Sequence, residues 1–399
     1  MGAVLGNVIA VGATLNIYGV FVNPVAESLG ASIAVMGLAP TIWQCVTGLG
    51  APIVGRLAGR VALRSLMLTG AVALALGLIL LSRVESLWQA SLLLAGLVAV
   101  GSSLLGLVPT ATLVTNWYVE RRGFALGMVA AGATGSGMLL PPLAAWLVGE
   151  YGWRQAFLIL GIGVATVTLP CLLALIVDKP EDVGETPDGI APAAEAEALK
   201  APLPMRAILA ERNFWLIALA FGPLFAASLM PVLFTVPYAV QIGLTLQGGA
   251  WIMSARSGAA IVGKIAISAL SDRLGRRPVV WGVIAAQFLL WSALVETRDF
   301  GIFAALSIAM GFVASALPLQ NALVGATFGR ESFPRAMGLL VAVELPFQLL
   351  TAPVAGAIVD ATGDYAAAFR AFMPVFLLSA ILLAFVKDRP VASSPAQST

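Results

Sequence analysis

The sequence predicts an all-α membrane protein with twelve transmembrane helices in two six-helix pseudo-repeats. Three observations carry that prediction. Only 11% of the residues are charged and 60% are apolar, with a mean hydropathy of +0.97, whereas a soluble domain holds roughly 25% charged residues. The apolar residues come in runs of about 20, each enough to cross a hydrocarbon layer of ~30 Å as a helix. Finally, loop segments of the first half recur in the second at almost constant spacing, as in a duplicated bundle.

The first run, 5–27, follows an N-terminus (Met1-Gly2-Ala3-Val4) with no basic residues, so it reads as a membrane helix rather than a cleaved signal. Runs at 35–57, 65–82, 88–117, 123–148 and 154–177 complete a first six-helix bundle over residues 1–177. Residues 178–212 are rich in Pro, Ala and Glu and read as a cytoplasmic linker. Runs at 213–241, 249–271, 279–296, 301–328, 336–358 and 367–387 then form a second bundle, so that 213–399 is six helices and a short cytoplasmic tail.

Lys and Arg set the orientation. With the N-terminus in the cytoplasm, sixteen of them fall on the cytoplasmic side and four, Arg83, Arg154, Arg298 and Arg370, on the outer side. Both termini are therefore expected inside, in a multi-pass protein of the cell inner membrane. The arginine-bearing loops are topology determinants, and no nucleic-acid partner is expected.

The repeats are specific. Glu120-Arg121-Arg122-Gly123-Phe124-Ala125-Leu126-Gly127 is echoed by Glu331-Ser332-Phe333-Pro334-Arg335-Ala336-Met337-Gly338, at an offset of 211 residues. The loop after the second run, with Arg56, Arg60 and Arg64, is echoed at an offset of 213 by the loop that holds Asp272, Arg273, Arg276 and Arg277. Asp272-Arg273-Leu274-Gly275-Arg276-Arg277 resembles the loop signature of the major facilitator superfamily, with Ser268 where a glycine is usual and Gly59 in place of the acidic residue of the first-half copy. That resemblance covers the whole chain. It implies a carrier that alternates access to a central cavity, working as a monomer, with Asp272, Arg273, Arg276, Arg60 and Arg64 in gating loops.

Other segments resemble the monocarboxylate transporter and oxalate:formate antiporter branch: Gly19-Val20-Phe21-Val22-Asn23-Pro24, the stretch from Asn116-Trp117-Tyr118 to Gly127, Gly152-Trp153-Arg154-Gln155-Ala156-Phe157, and Gly263-Lys264 before Ser271-Asp272. The branch usually has arginine where this chain has Lys264, and its antiporters have a second basic residue where this chain has Glu344. The resemblance implies a carboxylate substrate held by the cation.

Of the 42 charged residues, three lie well inside the runs: Arg256, Lys264 and Glu344. Each costs at least ~2.5 kcal/mol at a helix centre and so should face a wet cavity or a partner. Arg256 and Lys264 are eight residues apart on the eighth helix, about 12 Å of rise and roughly 80° of rotation, so they can line one cavity at two depths. Lys264 and Glu344 come out at nearly equal depth, which makes an alternating pair that couples protons geometrically feasible. Asn16, Tyr18, Gln44, Asn116, Tyr238, Gln320, Asn321 and Gln348 are the neutral polar groups expected around a midplane site.

The expected function is secondary transport of a small organic anion, a carboxylate, coupled to protons or to anion exchange. Lys264 would hold the anion, Arg256 would attract it, Glu344 would carry the proton, and Asn116 with the tyrosines would orient the remainder. The runner-up is a carrier of a larger neutral or zwitterionic solute such as a vitamin, or a multidrug exporter. An enzyme is not expected. The chain has no histidine, no nucleophile with a plausible base, and no cluster that would hold a metal or cofactor. Gly258-Ala259-Ala260-Ile261-Val262-Gly263-Lys264-Ile265 resembles a phosphate-binding loop but lacks the terminal Ser or Thr and lies in a membrane helix. Cys45 and Cys171 sit in apolar runs and read as buried free thiols.

Overall fold

A computed structural model describes residues 1–58, 60–118, 122–184, 203–314 and 316–386. Among them every regular element is a helix. Eight helical stretches are long and apolar enough to cross a membrane, and the bent pair Gly2–Asn16 and Tyr18–Leu29, inclined at 41°, makes a ninth. Two of the helices are too long for one crossing. Arg122–Gly163 has 42 residues and Ala316–Thr362 has 47, about 63 and 70 Å at 1.5 Å per residue, twice the hydrocarbon thickness. The first folds at Gly152, whose φ of 77° is open to glycine at little cost. The second holds the repeat segment 331–338 that the sequence assigns to a loop.

The elements divide accordingly. Helix α1 is the bent pair; α2 is Leu38–Ala58, led by the turn Ile33–Met36; α3 is Leu63–Leu81; α4 covers 87–117. Helices α5 and α6 are the limbs 122–151 and 153–175 on either side of Gly152. In the second half α7 is Arg212–Gln241, α8 Leu246–Leu274 and α9 Arg276–Glu296. Helix α10 starts as Phe300–Val313 and resumes at 316, α11 is Arg335–Thr362 and α12 is Tyr365–Ala384. Two of the twelve expected passes are weak by apolar length alone, for distinct reasons: α8 carries Arg256 and Lys264 in its middle, and the first stretch of α10 has only 14 residues. Among its described residues the linker contains a short 3-10 turn, Pro180–Val183, and a short α-helix, Met205–Ala210; residues 185–202 and the tail from 387 lie outside the described residues.

Buried apolar side chains form two clusters rather than one. One is drawn mainly from residues 3–176 and the other mainly from 208–386. They are stitched together where α1 meets α7, α2 meets α11, and α5 meets α8. Tyr18 and Val22 of α1 lie in the second cluster, while Val236, Ala250 and Met253 lie in the first.

Twelve passes put both described chain ends on one side, here the terminal end, and the connections around residues 30, 152, 243 and 363 at the distal end. The distal end is closed. The Tyr365 hydroxyl donates to Asn23 Oδ1 at 3.1 Å, and Thr41 Oγ1 donates to the Leu349 carbonyl at 2.8 Å. Gly37 lies directly on the backbone of Ala352, where a Cβ would stand 2.6 Å from the carbonyl oxygen.

Candidate functional site

The α5–α8 seam is where the chemistry gathers. Residues seven apart fall on one helical stripe, because 700° is within 20° of two full turns. Ser257 and Lys264 share such a stripe on α8, and it faces α5. Lys264 Nζ donates to Thr134 Oγ1 at 2.9 Å. One turn further along α5, Gly137 has no side chain, and Ser257 fills the space beside it; a Cβ there would lie 2.6 Å from Ser257 Oγ and 3.3 Å from Asn16 Nδ2. Asn16 comes from α1, donating to Ser136 Oγ at 2.8 Å and to the Ala133 carbonyl at 3.3 Å. Nearer the distal end, Ser254 Oγ donates to the Met138 carbonyl, and Gln247 Nε2 donates to the Pro142 carbonyl at 3.2 Å.

Three helices thus bring Asn16, Thr134, Ser136, Ser257 and Lys264 together. The cluster has one cation and no carboxylate. Thr134, Ser136 and Ser257 escaped the sequence reading, because a hydroxyl in a membrane helix ordinarily bonds its own i−4 carbonyl and carries no signal. The seven-residue spacing of Ser257 and Lys264 was the available clue.

Arg256 faces another way. It belongs to the α8 stripe that continues at Gly263 and packs on α10, where its Cγ would stand 2.8 Å from a Cβ at Gly311. It is 6% exposed, and its Nε has no hydrogen-bond partner. Among the described residues neither Arg256 nor Lys264 has a carboxylate within ion-pair distance; the ion pair found there, Arg370 with Glu296 at 3.2 Å, is solvent-accessible at the distal end.

The Lys264–Glu344 pairing foreseen from depth does not form. Equal depth is only one coordinate, and the rotation of α11 turns Glu344 into the second bundle. There it is 1% exposed, accepts a hydrogen bond from Gln320 Nε2 of α10 and lies against Gly222 of α7. Gln320 is itself fully buried, and its Oε1 is unpartnered, as is Oδ1 of the adjacent Asn321. Gln348, one turn beyond Glu344, is half-buried.

Other expected site residues lie elsewhere. Tyr238 is enclosed between the rings of Phe303 and Phe369 at 5.2 and 5.5 Å, its hydroxyl 3.5 Å from the Leu294 carbonyl, inside the second apolar cluster. Asn116 sits at the terminal end of α4 and donates to the Asp178 carbonyl at 2.9 Å, while Trp117 Nε1 donates to the Val177 carbonyl at 2.9 Å. That pair clamps the chain as it leaves α6. Tyr18 crosses to the second bundle and meets Phe234 edge-on at 6.4 Å, its hydroxyl without a partner. Gln44 is buried with Nε2 unpartnered.

The loop residues gather at the terminal end. Arg60, Arg64 and Arg273 are exposed. The Arg64 amide donates to Asp178 Oδ1 at 2.8 Å, and its guanidinium donates to the Leu173 carbonyl. The side chains of Asp272 and Arg276 lie outside the described ones.

This architecture has known counterparts. The profile of the Major Facilitator Superfamily matches residues 4–250 and 224–399. Monocarboxylate transporter 13 of Bos taurus is 26% identical over 365 residues, covering 89% of this chain and 81% of its own. Monocarboxylate transporter 12 of Rattus norvegicus is 28% identical over 375 residues, covering 87% and 76%. Among solved structures, a bacterial homologue of the human lysosomal transporter Spinster, inward-facing and unoccupied, superposes with a TM-score of 0.75 at 16% identity over 99% of this chain and 98% of that one. A D-xylose-proton symporter superposes with a TM-score of 0.74 at 12% identity, over 98% of each.

Proposed function

Because the chain belongs to the Major Facilitator Superfamily and is therefore a multi-pass membrane transporter rather than an enzyme, we propose that its solute is a small organic anion, a carboxylate, bound by Lys264 at the α5–α8 seam. One observation carries this reading: the seam holds a cation among neutral hydroxyls and an amide, with no carboxylate to neutralise it. A charge in that position is costly unless a counter-ion joins it, and an arriving carboxylate supplies one with charge-assisted hydrogen bonds. Thr134 and Ser257 would share the anion. Arg256, the second unpaired cation on α8, adds attraction from the distal side. The likeness to monocarboxylate transporters 12 and 13 supports the substrate class.

Glu344 is the proposed proton carrier. Ionised, it accepts one bond from Gln320 Nε2; protonated, it can in addition donate to Oε1 of the same amide, which is otherwise unpartnered. Two amide orientations then serve two protonation states. A zwitterion, the runner-up, would have to reach both Lys264 and Glu344, which meet different neighbours in this structure.

Residues 1–177 and 213–399 are proposed to rock as two bodies about the seam in a single working unit, with 178–212 between them. The accumulation of Lys and Arg at the terminal end supports a carrier of the cell inner membrane with both termini in the cytoplasm. Arg60, Arg64, Asp272, Arg273 and Arg276 would then gate the cytoplasmic mouth.

The experiment is a thermal-shift series on purified carrier with acetate, lactate, pyruvate and larger aromatic carboxylates, beside their amides. The proposal expects stabilisation by at least one acid and none by its amide, and loss of that stabilisation in Lys264→Gln. Equal stabilisation by acid and amide would contradict it.

A further inference from the structure

The distal closure contains one contact of a different kind. Helix N-termini present amides with no intrahelical acceptor. The turn Ile33–Met36 leads α2 at the distal end, and Ser32 Oγ takes one of its amides, Val35 N, at 3.3 Å. The two preceding amides are taken by the other half of the protein. Ile33 N donates to Oδ1 of Asp360, and Ala34 N to Oδ2, both at 2.8 Å. A single carboxylate, from the end of α11, thus caps the start of α2 with both oxygens. The positive end of the turn and the negative charge reinforce one another.

The surroundings hold that carboxylate in place. Ala352, Gly356 and Asp360 are spaced by four and share one face of α11. A Cβ at Gly356 would stand 2.6 Å from both the Ala34 Cα and the Ile33 carbonyl oxygen, so the two backbones touch just where the carboxylate reaches across. Gly37, at the other end of the turn, rests on Ala352. The stripe reads as a rail that brings Asp360 to the amides when, and only when, the distal ends are together. Asp360 is also exposed on the distal side. As the halves part, water can replace the amides, which makes the contact reversible.

We propose that Asp360 is a positioning residue of the transport cycle: its carboxylate latches α11 to the start of α2, and release of that latch admits the solute from the distal side. The proposal rests on the carrier reading, yet its test needs no substrate, so the two can fail separately. With Cys45 and Cys171 replaced by serine, spin labels at Glu27→Cys and Arg298→Cys, both exposed at the distal end on opposite halves, report the distance across it.

The long-distance population should grow about tenfold or more relative to the short one in Asp360→Ala. Asp360→Asn keeps one acceptor and should fall between, and Asp360→Glu should recover much of the closed population. Thr245→Ala is the control. It removes an N-cap at the same end, whose Oγ1 accepts from Gly248 N at 3.0 Å within α8, and should leave the distances unchanged. Should Asp360→Ala fail to fold, Asp360→Asn and Asp360→Glu decide by the same readout. Unchanged distances in Asp360→Asn, or equal opening in Thr245→Ala, would overturn the latch.

Discussion

The sharpest structural prediction concerns Gly263, where α8 crosses α10. A Cβ at this position would lie 1.8 Å from the Phe312 carbonyl oxygen, 2.5 Å from its carbon and 2.7 Å from its Cα. All three are backbone atoms, so no rotamer change can relieve the clash. A carbon approaches a carbonyl oxygen to about 3.3 Å, so Gly263→Ala must drive the helices apart locally by roughly 1.5 Å. Overpacking of that kind costs about 1–3 kcal/mol, and a backbone clash belongs at the upper end. For a chain of this length about 3 kcal/mol lowers Tm by roughly 3–4 °C.

The internal control is one and a half turns away. At Gly258 an added Cβ meets only the Met138 sulfur, at 3.6 Å, an ordinary contact with a flexible side chain. Gly258→Ala should therefore leave Tm within about 1 °C, aided by alanine's better helix propensity. The assay is thermal unfolding of both variants purified in one detergent. Because the same stripe of α8 carries Arg256 against Gly311, Gly263→Ala should also lower uptake. Equal Tm for the two variants would refute the account of how α8 sits on α10.

Three further predictions concern the solute and its coupling. Lys264→Gln should lower carboxylate uptake roughly 10- to 100-fold, the range for loss of a charge-assisted contact, with Lys264→Arg retaining part of it; initial rates in proteoliposomes measure this. Glu344→Gln should preserve exchange across equal pH while abolishing accumulation driven by a proton gradient, read by counterflow against net uptake. Asn116→Ala removes the bond to the Asp178 carbonyl and should cost about 1 kcal/mol in stability while leaving KM unchanged, since the residue clamps the exit of α6 and lies away from the seam.

Much of this was legible beforehand, and the rest failed for identifiable reasons. Most of the membrane crossings were visible because they are long apolar runs, even where the helix continues past its turn, as at Gly152. The three deep charges stood out because charge is rare in such runs. Which neighbour each one meets was not visible. Depth along a helix follows from residue number, but facing depends on how the helix is rotated against its neighbours, and residues such as Lys264 and Glu344 can share a depth and look in different directions. Tyr238 illustrates the same limit: a tyrosine reads as polar in a run, yet its ring is large enough to be claimed by the aromatic core of Phe303 and Phe369. Asp360 was unreadable for another reason. A carboxylate at a helix end looks like solvent-facing charge until the fold brings a second helix start beside it.

The central claim is that the unpaired cation of the α5–α8 seam binds a carboxylate that the protein carries across the membrane. Uptake of a labelled monocarboxylate into proteoliposomes, measured for the wild type and Lys264→Gln at matched protein density, tests it most directly. The account predicts saturable uptake that competing carboxylates suppress, their amides do not, and Lys264→Gln loses. Uptake unaltered by Lys264→Gln, or suppressed equally by the amides, would contradict it.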